Sequence, residues 1–502
     1  MAHPGIHATS RPDAPTLIMA ATGETVTWAE LRRRSVAAAN MLHDLGLRAG
    51  DPVAFCIENR PEFAVLVWAC HDAGYRYTPI STRLTPDEVA YIVGDCGASV
   101  FLHSGRTTAA ARKAAGLDGV EHVIDVDDHD ALHSGDDVDA DPRYERAEGI
   151  GMLYSSGTTG KPKGVWRPAP DEPVEDLGPA DRAAAHAFGI TPDSVYLSPA
   201  PLYHSAPITF LIQMGRIGAT TVIMERFDPA ESLAAIERYG VTHSQWVPTM
   251  FVRMLRLPEG ERTRHDLSSH VFAIHGAGPC PIAVKEAMLD WWGLIIHEYY
   301  AGTEGAGMCR IGPDEWLEHK GSVGRSARGP VLIVDDAGNE LPAGEVGQIW
   351  FVNSSDFRYH GDETKTAEAR RGAGGTFGDI GYLDDDGYLY LTDRKSFTIN
   401  AGGVNIYPQE IEDVLLTHPA VHDVAVFGLP NDEYGEEVKA VVEPDPDVTA
   451  DDTLAAELLA HCRTKLAGYK VPRSIGFEPQ LPREPTGKLR KHLIRDRYLA
   501  DR

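Results

Sequence analysis

From residue 25 to residue 102, short apolar runs alternate with segments that carry helix-capping and helix-stopping residues. No other feature constrains the fold as strongly. Residues 25–47 read as one helix. Thr27 lies three residues before Glu30, the spacing of a capping box, and an apolar stripe follows at Leu31, Val36, Ala39, Leu42 and Leu45. Gly50-Asp51 then turns into residues 52–56, PVAFC, a short buried strand. Residues 62–73 read as a helix closed by Gly74, residues 75–79 as a strand, Thr85-Pro-Asp-Glu88 as the next helix start, and residues 98–102 as a strand again. Such alternation predicts α/β architecture in layers, built on a largely parallel sheet. It resumes after residue 189, with strands at 194–197, 220–224, 243–247, 272–275 and 294–300. The helices between them are 229–239, one from Pro248 and one near Pro281.

Between about 321 and 393 the grammar changes. The β runs 331–334, 347–352 and 388–391 are separated by the turns Asp336-Ala-Gly-Asn, Pro342-Ala-Gly and Asp385-Asp-Gly, which predicts a small β subdomain with antiparallel strands. Helices and strands mix again beyond it, with a Pro/Asp linker at 444–447. The 502 residues exceed what one core holds. The expected division is a large N-terminal domain, 1–393, and a small α+β C-terminal domain, 394–502. Residues 124–143, rich in Asp, and 166–180, with Pro168, Pro170, Pro173 and Pro179, read as surface excursions.

Charge excludes one class of partner. Lys plus Arg is 47 and Asp plus Glu is 74, for a net −27, whereas general nucleic-acid binding demands a basic surface. Six cysteines without CxxC pairing read as reduced thiols, and the first fifteen residues hold no apolar run, so a cytoplasmic chain without a secretory signal is expected. No stretch reaches the roughly 18 apolar residues of a transmembrane helix. His265, His270 and His275 are five apart, which is not a metal-ligand spacing.

The chemistry starts at residues 154–165, YSSGTTGKPKGV. Ser155, Ser156, Thr158 and Thr159 are packed around Gly157 and Gly160, with Lys161, Lys163 and Gly164 behind them. Glycines allow close backbone approach, successive N–H groups form an anion nest, and hydroxyls and ammonium groups add donors and charge: a phosphate grip. It is not a Walker A loop, because Pro162 follows Gly160-Lys161. Further along, Thr303-Glu304 sits where a β run ends in a glycine-bearing turn. There a carboxylate faces the ligand crevice and suits Mg²⁺ beside phosphate. Asp379 follows Gly378, Arg394 comes fifteen residues later, and Thr486-Gly487-Lys488 closes the chain's last turn.

These strings, in this order, resemble the adenylate-forming superfamily, which includes the AMP-forming acyl-CoA synthetases. The resemblance implies an ATP-dependent carboxylate–CoA ligase using ATP, Mg²⁺ and CoA, with AMP as product. It implies phosphate contacts from Ser155, Ser156, Gly157, Thr158, Thr159, Gly160, Lys161 and Lys163. It makes Glu304, with Thr158, the metal site, puts Tyr300 on adenine with Gly276-Ala277-Gly278 as the adenine-side wall, and sends Thr303 to phosphate. It assigns Asp379 and Arg394 to the ribose, and Lys488 to the charge that develops during adenylation. Position 396, here Ser396, becomes the hinge of a mobile C-terminal domain, and Gly402-Gly403 the loop that completes the thioester tunnel. Phe377 stands where the family usually has Thr.

His204 matches an aromatic or His position near the carboxylate. With Val247, Thr249, Gly278, Gly302, Gly307 and Met308 it outlines a small-residue, apolar pocket suited to a fatty, aryl or sterol-side-chain acid. The implied partners are therefore a small-molecule carboxylic acid, ATP and CoA, with a homodimer as a family-weighted expectation. Two alternatives stand beside this reading: an adenylating enzyme that loads a carrier protein, and a non-catalytic nucleotide-binding relative.

Overall fold

The computed structural model describes residues 3–133, 141–155, 162–170, 174–176, 178–394, 397–401, 404–431, 435–483 and 489–500. It is α/β, as the alternation predicts, and divides into two compact units. One comprises Met1–His275, Ala287–His297 and Asp356–Thr366; the other comprises Gly276–Glu286, Glu298–Ser355 and Ala367–Arg502.

In the first unit the segments of the opening alternation form a parallel five-stranded sheet. Its order is His122–Asp125, Val100–His103, Pro52–Cys56, Arg76–Pro79, Ile150–Gly151. The helix Pro61–Ala73 is apolar on nearly every side, and all its residues are buried, as an all-round hydrophobic helix requires. Residues 25–47 differ from the single predicted helix. Thr25–Thr27 pairs as a short strand, and the helix runs Trp28–Asp44 with the Thr27 side chain accepting from the Glu30 N–H at 3.2 Å. The cap is where the sequence places it; the β-branched Thr-Val-Thr before it is drawn into an edge strand instead of a helical turn.

A second sheet in this unit orders Phe272–His275, His243–Trp246, Val195–Ser198, Thr220–Ile223, Pro15–Met19 and Thr25–Thr27. Only the last pairing is antiparallel. A third, antiparallel sheet joins Leu153–Ser155, Lys163–Trp166 and Arg358–Tyr359.

The second unit holds the antiparallel set that the turn-rich sequence predicts. Gly347–Phe351 pairs Val331–Val334 and Asp379–Leu383, and the latter pairs Leu389–Arg394. Towards the C-terminus a mixed sheet centred on Val421–Asn431 and Gly435–Pro444 packs with the helices Pro408–Leu416 and Asp452–Lys465 over a core that includes Ile406, Ile411, Leu415, Val426, Val442 and Leu458. No helix among the described residues is long and apolar enough to cross a membrane.

Candidate active site

The phosphate-loop residues Ser156, Gly157, Thr158, Thr159, Gly160 and Lys161 lie outside the described residues, as do Ser396, Gly402, Gly403 and Lys488. What flanks the loop is clear. Leu153–Ser155 and Lys163–Trp166 form an antiparallel pair with Ser155 opposite Lys163, so the two ends of the loop stand side by side. Gly164 faces the Tyr154 ring so closely that a Cβ would come within 3.0 Å of it, and the Tyr154 hydroxyl donates to Asp95 at 2.6 Å. The Lys163 ammonium donates to the Asp362 carboxylate, and that bond raises its pKa.

His204 caps the N-terminus of the helix Ser205–Ile217, its ring tilted against Tyr203 at 4.6 Å. Val247 is buried and precedes the helix Pro248–Leu255, in which Thr249 is second. These three belong to the first unit.

The second unit gathers more of the predicted residues. The strands Ile296–Ala301 and Met308–Ile311 pair antiparallel, with Ala301 opposite Met308. Between them the Gly305 N–H donates to the Gly302 carbonyl at 3.0 Å, closing a tight turn with Thr303 and Glu304 at its tip. Just before the turn, the Tyr300 hydroxyl donates to Asp379 Oδ2 at 2.6 Å. Asp379 opens its strand and pairs directly with Arg394, so the two residues assigned to the ribose are cross-strand neighbours.

Steric contacts explain the small residues around this turn. A Cβ on Gly302 would meet the Phe377 ring at 2.5 Å and Glu304 Oε2 at 2.8 Å; one on Gly307 would run into the Phe351 ring. Phe377, the departure from the family pattern, stands edge-on to Tyr300 at 5.5 Å and packs with Phe351 at 5.4 Å. In the wall segment, Gly276 is held against the Tyr299 ring, where a Cβ would fall at 2.6 Å. Gly278 has nothing within 4 Å of such a Cβ. The left-handed residue here is Ala277, with φ +68°, a conformation that costs a non-glycine residue about 1–2 kcal/mol.

One contributor escapes sequence reading. Thr376, buried, donates from Oγ1 to the Ile349 carbonyl at 2.6 Å and accepts from the Gly378 N–H at 3.0 Å, fixing the turn that presents Asp379. A hydroxyl two residues ahead of a turn glycine is the signal for such a side-chain turn.

A protein-family model for AMP-binding enzymes matches residues 6–358, and a second, for the C-terminal domain of those enzymes, matches residues 410–488. The chain belongs to the AMP-binding enzyme family. Feruloyl-CoA synthase of Amycolatopsis sp is 34% identical over 490 residues, covering 95% of this chain and 94% of its own length. The long-chain-fatty-acid–CoA ligase FadD13 of Mycobacterium tuberculosis (strain H37Rv) is 31% identical over 522 residues, covering 98% and 97%. Among solved structures, o-succinylbenzoate CoA synthetase (MenE) from Bacillus subtilis in complex with the acyl-adenylate intermediate OSB-AMP aligns with a TM-score of 0.82 at 28% identity, over 99% of this chain and 98% of that one. This AMP-binding enzyme is thus an acid–thiol ligase of the adenylate-forming superfamily.

A single carboxylate in an open turn suits Mg²⁺, which takes one or two protein carboxylates together with substrate phosphate oxygens. Glu304 is a carboxylate of that type by its chemistry: it is half-buried, at the tip of the Gly302–Gly305 turn.

Proposed function

We propose that this enzyme is an AMP-forming acyl-CoA ligase that activates a hydrophobic carboxylic acid of the fatty, aryl or sterol-side-chain type and transfers the acyl group to CoA. The observation that carries the reading is the Tyr300–Asp379 hydrogen bond, with Arg394 across the strand pair and Glu304 at the adjoining turn. Tyr300, Asp379, Arg394 and Glu304 lie on neighbouring segments of one unit, which supports a reading in which they serve base, ribose and metal together. The substrate class is supported by relatives named for feruloyl and long-chain fatty substrates, an aryl and a fatty acid. All six cysteines are free thiols, which fits work in a reducing cytoplasm.

In the first step a carboxylate oxygen attacks the α-phosphorus of ATP, the bond to pyrophosphate breaks, and acyl-AMP forms. The loop 156–161 and Lys163 bind the phosphates; Asp379 and Arg394 hold the ribose; Tyr300 packs on adenine. Bound at Glu304 and Thr158, Mg²⁺ would supply counter-charge to the phosphates. Lys488 stabilises negative charge building on the reacting oxygens. In the second step the CoA sulfur, its proton lost, attacks the acyl carbon and AMP leaves. The small domain turns about Ser396 between the steps, bringing Gly402-Gly403 to the thiol side.

The test is pyrophosphate release from Mg·ATP across a panel of carboxylic acids, with and without CoA, for the wild type and Lys488→Ala. Acid-dependent release, cut about 10²-fold or more in the variant, is expected, with acyl-CoA formed only when CoA is present. Release without a CoA thioester would move the acceptor to a carrier protein. Absence of release with every acid, beside intact ATP binding, would overturn the ligase reading.

A further inference from the structure

Two tyrosines stand side by side on the strand Ile296–Ala301, and the turn beyond depends on which of them faces Asp379. Tyr300 does, through its 2.6 Å hydrogen bond. Tyr299 points to the other face, as strand alternation requires, and its ring stands against Gly276. A slip of one residue against Met308–Ile311 would exchange the two rings. They are identical side chains, so burying one in place of the other discriminates weakly between the registers.

Glu298 discriminates strongly. It is 6% exposed, it lies two residues before Tyr300 on the same face, and its Oε2 accepts from Lys285 Nζ at 2.6 Å. Lys285 is 0% exposed, and its ammonium also sits 4.6 Å from the centre of the Trp316 ring. Lys285 belongs to the helix Ile282–Trp292, which begins four residues after Gly278 of the wall segment. A one-residue slip would turn Glu298 to the opposite face and leave Lys285 buried without its partner, the most costly way to disturb such a pair. A buried ion pair adds little stability over well-packed apolar residues of the same volume, and its best-attested use is to fix registry.

We infer that Lys285 and Glu298 are positioning residues: their buried pair locks the register of the Ile296–Ala301 strand so that Tyr300, and not Tyr299, meets Asp379 and the nucleotide. The inference rests on the nucleotide-site reading above. Neither side chain touches ATP in this account; both act through Tyr300.

The experiment replaces the pair by apolar residues of similar size, Lys285→Met with Glu298→Leu. It measures the urea midpoint and, by calorimetry with Mg²⁺ and no acid, the dissociation constant for ATP. The expected result is a midpoint close to wild type with ATP binding weakened about tenfold or more. In addition, Tyr300→Phe should weaken binding in the wild-type background and have much less effect in the double variant. A stable double variant whose ATP affinity stays within about twofold of wild type would reduce the pair to a purely structural role and overturn the inference. Should the double variant fail to fold, Glu298→Gln keeps the shape and a hydrogen-bonding oxygen while removing the charge. Unchanged ATP affinity in that variant overturns the inference equally, and weakened affinity at a retained midpoint supports it. A wild type that does not bind ATP at all would sink the nucleotide reading itself, a result that the variants cannot imitate.

Discussion

Asp72 in the first unit and Asp379 in the second are both buried, at 1% and 7% exposure, and each accepts a tyrosine hydroxyl at 2.6 Å, from Tyr144 and Tyr300 respectively. Their settings differ. Asp72 lies in the last turn of a helix with every residue buried. Arg32 reaches it at 2.8 Å and Arg146 at 2.5 and 2.7 Å, with His3 Nε2 at 3.4 Å. Asp379 opens a strand directly after Gly378, whose φ of +77° turns the chain there, and its backbone pairs with that of Arg394. Asp72 is enclosed by guanidiniums at the end of a packed helix, whereas Asp379 stands at the start of a strand behind a left-handed glycine. Position in the fold, more than burial or a shared phenol contact, is what separates a charge enclosed in the structure from the one proposed above to hold the ribose.

The comparison breaks most visibly at Asp72. Removing its carboxylate leaves Arg32 and Arg146 converging on an empty, buried position. Asp72→Ala is expected to lower the unfolding free energy by about 3–5 kcal/mol. Urea denaturation reads it, and ATP affinity per folded molecule should stay at the wild-type value. A loss below about 1 kcal/mol would mean that the cluster contributes no more than a surface ion pair.

Asp379→Ala is expected to do the reverse. Losing one hydrogen bond from Tyr300 costs about 1 kcal/mol of stability. Losing charge-assisted acceptors for the ribose costs about 1.5–3 kcal/mol of binding, a rise of roughly ten- to a hundredfold in the ATP dissociation constant. Calorimetry beside a denaturation curve separates the two readouts. A variant that unfolds like Asp72→Ala yet binds ATP normally would reverse the assignment.

How much of this was legible in the sequence follows from how local each signal is. The strand Pro52–Cys56, the helix Pro229–Tyr239 and the strand Val331–Val334 fall where the residue pattern places them, because caps, glycine stops and β-branched runs act over a few positions. Tyr300, Glu304, Asp379 and Arg394 stand out because the short strings that hold them resemble those of the adenylate-forming superfamily. The Tyr300–Asp379 bond could not: it joins residues 79 apart and depends on how the second unit folds. Thr376 carries only a weak signal of its own in the sequence, and the break in the family pattern falls on Phe377, one residue later. The hydroxyl that sets the turn stands one position earlier, and only the Ile349 carbonyl that it reaches reveals its purpose. The Lys285–Glu298 pair looks in sequence like two ordinary surface charges; burial alone makes it informative.

Acid pH tests the structural half of the comparison more gently. Burial holds His3 and His270 down to a pKa of about 3, and for His3 it outweighs the nearby Asp72 carboxylate. At neutral pH the His3–Asp72 contact is therefore one between a neutral ring and an anion. Burial pushes Asp72 up, but Arg32, His3 and the hydrogen bonds from Arg146 and Tyr144 outweigh it and hold the carboxyl at about 2, below its ordinary 3.8. At about pH 8 and above both histidines are neutral in the folded and unfolded chain alike, and they contribute almost no slope. Below it the unfolded chain takes up protons that the folded chain refuses, so stability falls with pH, by up to about 1.4 kcal/mol per pH unit for each histidine. Asp72 adds its own loss only as pH drops from 3.8 towards 2, because its folded pKa is the lowered one. Two windows are thus expected: a first decline that sets in as pH falls through 6.5, and an added one below about pH 4. Urea midpoints at pH 7.5, 6.5, 5.5 and 4.5 resolve the first. His270→Gln, which keeps a polar group near Ser244 without a proton to gain, should remove its share of that slope, with His3, His7, His243 and His461, whose pKa values burial also lowers, supplying the rest. Stability that stays level from pH 7.5 to 4.5 would mean that these two rings take up protons as readily in the folded chain as in the unfolded one, and that their burial does not set the acid response.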